Sequence, residues 1–453
     1  MTPAPRPAAQ LRLRALLVFA GSAHGAAWGA LGMTLLDDDA APALLALAGP
    51  RTATDADLLT CLLLVAALPL GSLMGAPALD RLSHALGRRP AVMTAAALIA
   101  VGALLPALDG PLPALAGALA VGLGLGGLTI VLPKVAHELA ARGHRRLMPR
   151  TWAVAPAGAA GATAAGALAS LAEPRGAVTG AWAVPAVLAL LVLLLATTLP
   201  ETPHWYAAQN RLEPAHASLK RMHGALEAAV GIDWVVLDAG TRGDQARLGR
   251  CDLAIRRVRQ VVVAGLLLEL VQALPMGLAA LVLTPLLLAA RVPGGRSAAG
   301  PLIVLALLWG AVGACGLLRR RTHRLAYAWI MAGTGVSACG SVLLALLGSF
   351  GRVSDVVVLL LASTLMVAGQ YLAVVPACAG AVDPLVPPWL LRSQRRAVAA
   401  LRPLVQLLCV GGAVLLLALA PSSDVMLGLV LGGQLLSMIL ALLALPRAVA
   451  ALR

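Results

Sequence analysis

Apolar residues in this chain fall in blocks of about 20, separated mostly by short stretches that carry the charge. Twelve such blocks run over approximately 13–36, 58–79, 90–108, 112–137, 151–173, 177–199, 258–290, 300–318, 323–347, 355–381, 398–420 and 424–447. A helix rising about 1.5 Å per residue needs about 20 apolar residues to cross a hydrocarbon core about 30 Å thick. The pattern therefore predicts an all-α polytopic membrane protein with twelve transmembrane helices. A transmembrane β-barrel would alternate apolar and polar residues in strands of about ten, and that alternation is absent.

The regularity breaks once, at a long loop over 200–257, which divides the blocks six and six. This predicts an N-terminal six-helix bundle over 1–199, a cytoplasmic linker with short amphipathic helices over 200–257, and a C-terminal six-helix bundle over 258–453. Inside the loop, Leu212, Ala215 and Leu219 share one face of a helical segment near 211–223. A basic segment from Arg242 to Arg259 then leads into the seventh span. These segments are expected to pack against the cytoplasmic mouth.

Composition agrees with the pattern. Hydrophobic residues make up 60% and charged residues 12%, against about half and about a quarter in soluble domains, and mean hydropathy is +0.88. The net charge of +15 comes from Arg clusters in alternate loops. One set holds Arg81, Arg88 and Arg89; Arg142, Arg145, Arg146 and Arg150; Arg319, Arg320, Arg321 and Arg324; and Arg392, Arg395 and Arg396. The opposite set holds Asp37 to Asp39, Asp55, Asp57, Asp109, Glu173 and Asp424. The positive-inside rule then places both termini and the long loop in the cytoplasm. Abundant Ala, Leu and Arg beside two lysines suggest a GC-rich bacterial gene, and hence a cell inner (plasma) membrane. Nucleic acid is not the expected partner of this charge, because aromatic residues are only 3%. The six cysteines form no C-x-x-C and lie mostly inside apolar runs, so neither a disulfide framework nor a metal site is expected. The basic, Pro-rich stretch Met1 to Arg14 precedes an apolar run too long for a signal peptide, so the first span reads as uncleaved.

Four motifs stand out. After the sixth block come Pro200-Glu201-Thr202-Pro203-His204-Trp205-Tyr206, then Asn210-Arg211-Leu212-Glu213. Between the second and third blocks lie Gly75, Asp80 and Arg81, then Gly87, Arg88, Arg89 and Pro90. The fourth block reads Gly122, Gly124, Gly126, Gly127, then Pro133, Lys134, His137 and Glu138, with Arg142-Gly143 beyond. The seventh reads Val271-Gln272-Ala273-Leu274-Pro275 and, further on, Val282-Leu283-Thr284-Pro285. Together these resemble the sugar porter branch of the major facilitator superfamily, with its P-E-S-P-R-W/Y-L, G-x(3)-D-R-x-G-R-R, P-x-Y-x-x-E…R-G and F-Q-Q…Y-Y-x-P segments.

The resemblance implies two six-helix halves that rock around a central solute site. It also implies a cytoplasmic gate built from Gly75, Asp80, Arg81, Gly87, Arg88, Arg89, Glu138, Arg142 and Glu201, with Arg319 and Arg320 in the second half. Four extra residues, Ser83 to Leu86, separate the acidic and basic parts of the first loop. Asp80 is expected to pair with Arg there, and the loop between spans eight and nine lacks an acid of its own. The span-four glycines read as helix packing rather than a nucleotide fingerprint.

Substrate positions depart from the family. Gln272 matches its first glutamine, but Ala273, Leu278, Val282 and Leu283 stand where the family hydrogen-bonds sugar hydroxyls. Gly21, Gly25 and Gly29 keep the span-one spacing, yet the acidic position is Ala27 and the span-four arginine position is Ala118. Those two residues are the family's proton-coupling pair. Losing both avoids an unpaired buried charge and argues for facilitated diffusion or for another coupling group.

Ionisable residues inside spans are functional candidates. His24 lies one turn from Trp28, and Glu269 lies three residues before Gln272. Either could couple to protons. The competing readings are an interhelical hydrogen bond for His24 and a pair with a loop Arg for Glu269. Lys134 is expected to snorkel to the surface. Gln370, Tyr371 and Gln406 complete the candidate solute contacts, beside Gln272, Trp28 and His24.

The expected function is a carrier of a small organic solute, such as a sugar or related metabolite, working as a monomer in the lipid bilayer without a cofactor. A non-transporting sensor or scaffold on the same fold, and an efflux carrier for amphipathic compounds, are the alternatives. No clustered nucleophile, base and acid points to an enzyme.

Overall fold

The computed structural model describes residues 7–35, 55–108, 110–139, 153–173, 176–243, 255–256, 259–260, 262–272, 299–318, 326–349, 356–375, 377–378, 403–408 and 423–452. Among the described residues every regular element is a helix. The first half comprises α1 (Pro7–Leu35), α2 (Asp55–Ala85), α3 (Arg88–Leu104), α4 (Pro111–Leu139), α5 (Ala155–Ala172) and α6 (Gly176–Thr198). Three shorter helices follow: α7 (Pro203–Ala208), α8 (Leu212–His223) and α9 (Ala225–Gly243). The second half contributes α10 (Val262–Gln272), α11 (Ala299–Leu318), α12 (Ala326–Ser349), α13 (Val356–Ala368) and α14 (Ser423–Leu452). Six described helices are long and apolar enough to cross a membrane: Ala8–Thr34, Leu63–Ala85, Arg88–Ala107, Pro111–Leu139, Gly176–Thr198 and Val357–Val374. Helices suit such segments because hydrocarbon offers no partner to a backbone N–H or C=O, and Ala and Leu are strong helix formers.

Lipid removes most of the hydrophobic drive between helices, so close approach through small residues takes its place. At the α2–α4 crossing, a methyl added to Gly71 or Gly75 would overlap the carbonyls of Leu119 or Leu123. Seen from α4, one at Gly122 or Gly126 would overlap the carbonyls of Leu68 or Ser72. The Ser72 hydroxyl donates across the same crossing to Gly122 O at 3.1 Å. A second crossing joins α1 and α5, where Gly25 faces Ala155 and Gly158 faces Ser22. The indole of Trp182, fully buried on α6, donates to Thr34 Oγ1 on α1 at 2.7 Å. The two halves meet along α5 and α11, with Gly313 against Ala157 and Gly316 against Ala153.

Uncharged polar side chains recur inside the second half among the described residues. Its buried residues include Gln272, Thr334, Ser337, Ser341, Ser363, Gln370, Gln434 and Ser437. At the end of α13 the chain makes a π turn over Gly369–Val374, which carries Gln370 and Tyr371.

Three boundaries differ from expectation. α1 begins at Pro7, six residues before the apolar block, because Pro suits a first helical turn. α2 runs through Asp80 to Ala85, leaving only Leu86 and Gly87 before α3. The four extra residues are therefore about one further helical turn rather than a longer loop. The helix α9 has no counterpart in the expected pattern, since apolar residues lie on both of its faces. Most of the expected seventh and eleventh spans, with Arg142, Arg319 and Arg320, lies outside the described residues.

The α2–α4 crossing gives a direct test by thermal unfolding in detergent. Gly126→Val is expected to cost about 1–3 kcal/mol or more through overlap with the Ser72 backbone. Gly335→Ala, with nothing within 4 Å of the added methyl, is expected to stay within about 0.5 kcal/mol of wild type.

Candidate functional site

The C-terminal ends of α2, α4 and α6 and the N-terminal end of α3 converge on one charge cluster. Its centre is Glu201, buried in the turn between α6 and α7. Its carboxylate accepts from the backbone N–H groups of Arg88 and Arg89, both at 2.9 Å, and of Thr202 at 2.7 Å. Arg88 and Arg89 open α3, so Glu201 caps that helix from outside its own sequence. Gly87 makes the approach possible. Its φ of 116° and ψ of 167° lie in a region almost reserved for glycine, and an added methyl would overlap the Glu201 carboxylate. Burial pushes the Glu201 carboxyl above its usual range, and the three N–H bonds and the Arg88 charge pull the other way.

The side chains of Arg88 and Arg89 tie in the other helices. Buried Arg88 donates through Nη1 to Ser83 O at 2.7 Å, in the last turn of α2. Its Nη2 lies 3.5 Å from Glu138 Oε1 at the end of α4. Arg89 Nη2 donates to Thr197 O, at the end of α6, at 2.8 Å. Cations at the carbonyl ends of helices are favoured by the exposed backbone dipoles.

A second pair lies beside the first. Lys134 reaches Asp80 directly and also contacts Ser83 Oγ at 3.3 Å and His84 Nε2 at 3.5 Å. This corrects two expectations. Lys134 does not snorkel to the surface, and the partner of Asp80 is this lysine rather than an arginine. The reason is that α2 continues as a helix through Ala85, which sets Asp80, Ser83 and His84 alongside Lys134, about one turn before the end of α4. Lys134 and Glu138 are four residues apart and share one face of α4, so two acid–base pairs form side by side. The short helices close the cluster from below. The Trp205 indole donates to His84 O at 3.0 Å, and the Ser218 hydroxyl on α8 donates to Glu201 O.

Of the other gate candidates, Arg81 is exposed and stands outside the cluster, while Gly75 belongs to the α2–α4 crossing. Among the solute candidates, His24 is buried and Trp28 half-buried on α1. Glu269 is half-buried on α10, where the Gln272 amide donates to Leu268 O at 3.3 Å. Gln406 is buried in the helical stretch 403–408, and Tyr371 is half-buried beside Gln370. Gln370 Nε2 donates to Ser337 Oγ at 3.4 Å, while its Oε1 is buried with no hydrogen-bond partner among the described residues. Gln434 on α14, which the sequence reading passed over, has a buried Oε1 in the same condition. A glutamine inside an apolar block was its signal. Ala27 and Ala118 are both fully buried in the apolar core of the first half.

Two outcomes test this geometry. Lys134→Met is expected to cost roughly 3 kcal/mol of stability by removing the charged partner of buried Asp80 and leaving it His84 Nε2 at 3.8 Å, and adding Asp80→Asn is expected to recover most of it. Thermal unfolding of the two single variants and the double reads the coupling directly. The second concerns His223 at the end of α8, 3.6 Å from Glu227. Burial pulls the His223 imidazole below its ordinary value of 6.5, with Glu227 opposing. The unfolded segment then binds the proton first, so stability is full above pH 6.5 and falls as pH drops from there towards the folded value. Hydrogen exchange across α8 and α9 should quicken over that window in wild type but not in His223→Gln.

Comparison with known proteins completes the picture. The family profile described as "Sugar (and other) transporter" matches residues 45–388. A partially occluded inward-open structure of the xylose transporter XylE from E. coli is 16% identical, with TM-score 0.72, covering 97% of this chain and 98% of that one. The POT family transporter PepTSo is 14% identical, with TM-score 0.60, covering 98% of each chain. The human organic anion transporter MFSD10 is 15% identical, with TM-score 0.58, covering 96% of this chain and 99% of that one. No curated protein sequence matches. The profile spans well over half of the chain and the folds agree over nearly all of it. The chain thus has the twelve-helix major facilitator fold and belongs to the sugar (and other) transporter family, as a membrane transporter and not an enzyme.

Proposed function

We propose that this transporter carries a small hydroxylated solute, a sugar or a close relative, without the family's buried acid–base coupling pair. The observation that carries the reading is Gln370. It sits in the π turn of Gly369–Val374 with a buried amide oxygen that has no partner among the described residues. Such turns cluster at functional sites, and an unmet buried acceptor costs about 1–3 kcal/mol. A solute hydroxyl would meet it. Gln434 offers a second such oxygen, and Gln272, Tyr371 and Gln406 are the further solute contacts we assign to the second half. His24 and Trp28 on α1 are the contacts we assign to the first half. XylE is described as a proton:xylose symporter, which supports a sugar as cargo. The alanines at 27 and 118 support uniport.

The cluster around Glu201, Arg88 and Glu138, with Gly87, Arg89, Asp80 and Arg81, is assigned to the cytoplasmic gate. Arg142, Arg319 and Arg320 are assigned to the same gate from outside the described residues. We further place the protein as a monomer in the plasma membrane, with both termini and residues 200–257 cytoplasmic and bundle limits at 199 and 258. The alternate Arg-rich loops support that orientation.

Uptake of labelled sugars, polyols, organic acids and amphipathic cations into proteoliposomes tests the reading. Saturable sugar or polyol uptake that equilibrates without a pH gradient is expected. Accumulation driven by the gradient would sink the uniport reading and turn attention to His24 and Glu269. For the transported solute, Gln370→Leu is expected to raise KM about tenfold while leaving thermal stability equal or higher, since it removes an unmet acceptor.

A further inference from the structure

One helix carries more apolar surface than its packing uses. On α9, Ala228, Ile232 and Val235 face Ala215 and Leu219 of α8 and Tyr206 of α7. About half a turn round, Leu226, Val230, Trp234 and Leu237 recur at helical spacing and are 62%, 69%, 55% and 59% exposed. Neighbouring α8 shows the ordinary alternative, an outer face with exposed Arg211, Glu213, Lys220 and Arg221. The α9 stripe is therefore not a general property of this cytoplasmic layer.

Two further observations identify what it fits. From Arg242 to Arg259 the chain carries six arginines against two aspartates. Ile255, Arg256 and Arg259 are exposed immediately before α10, whose apolar run starts at Val262. In sequence, the basic segment links the helix that carries the apolar stripe to the apolar run of α10, where a headgroup layer would be met. Tryptophan favours that level, and basic residues there meet anionic headgroups. Asp233 lies at one edge of the stripe, where it can remain in water.

We propose that α9 rests on the cytoplasmic leaflet, with Leu226, Val230, Trp234 and Leu237 seated at the headgroup–acyl boundary and Arg256 and Arg259, just ahead of α10, held by anionic lipid. The occupant of the stripe is lipid rather than a second protein surface. The linker is then a surface-bound element whose seating responds to leaflet charge.

The test uses the full chain in nanodiscs of phosphatidylcholine and phosphatidylglycerol, with a portion of the lipid brominated near the headgroup end of its acyl chains. Subtracting the fluorescence of Trp234→Phe, an exposed and conservative change, from wild type isolates the Trp234 signal. Brominated lipid is expected to reduce that signal about twofold or more, with little quenching by aqueous acrylamide. The combined Arg256→Gln and Arg259→Gln variant should lose much of the lipid quenching in anionic nanodiscs. Quenching of Trp234 by acrylamide and not by brominated lipid would overturn the proposal by placing the stripe in water. Protection from both quenchers would overturn it in favour of a protein surface, either the second half of this chain or another copy.

Discussion

A carboxylate taken out of water must be given donors, and Glu201 meets that requirement with backbone N–H groups from another helix. The rest of the charged layer at this end of the bundle follows from this one contact. Glu201 fixes the start of α3 against the end of α6. That position aims Arg88 at the last turn of α2 and at Glu138 of α4, and Arg89 at the last carbonyls of α6. Gly87 is the enabling residue, because a side chain there would occupy the space of the carboxylate and the backbone would resist the angle. Four helices that lipid alone would hold only weakly are pinned at one end by charge and along their length by glycine crossings.

Motif spacing made the members of this cluster legible but not their pairing. Arg88, Arg89, Gly87, Glu138 and Glu201 could all be named from the sequence. Asp80 could be named too, but its partner could not. A lysine at the end of an apolar block reads equally well as a surface anchor, and only the added helical turn of α2 decides between the two. That turn was read as a loop insertion because charged residues usually mark the end of a span. Here they continue the helix, since Lys134 neutralises Asp80 and the Ser83 hydroxyl is satisfied by its own backbone at Asp80 O.

The second layer of information was harder to read for a different reason. α9 has apolar residues on two opposite faces, one packed and one exposed, so its sequence lacks the single stripe that marks an amphipathic helix. Gln434 was missed because one glutamine in an apolar block gives no direction, and its burial becomes evident only once α14 is placed. The twelve-block pattern, by contrast, follows from the length needed to cross a bilayer and is insensitive to such details.

The halves divide their chemistry unevenly. The first has an apolar core that includes Ala27 and Ala118, closed at one end by compensated charge. The second buries several amides and hydroxyls, some with unmet acceptors. In an alternating-access carrier, a half held by glycine crossings and paired charges can move as a unit without rearranging its interior. Selectivity then rests with the half whose polar groups change partners when solute arrives. On the proposed reading, replacing the acid–base pair with two alanines leaves the first half without a group that must exchange a proton during the cycle. On the same reading Gln370, at a helical irregularity rather than on a regular face, is the group we assign to sense whether the solute is present.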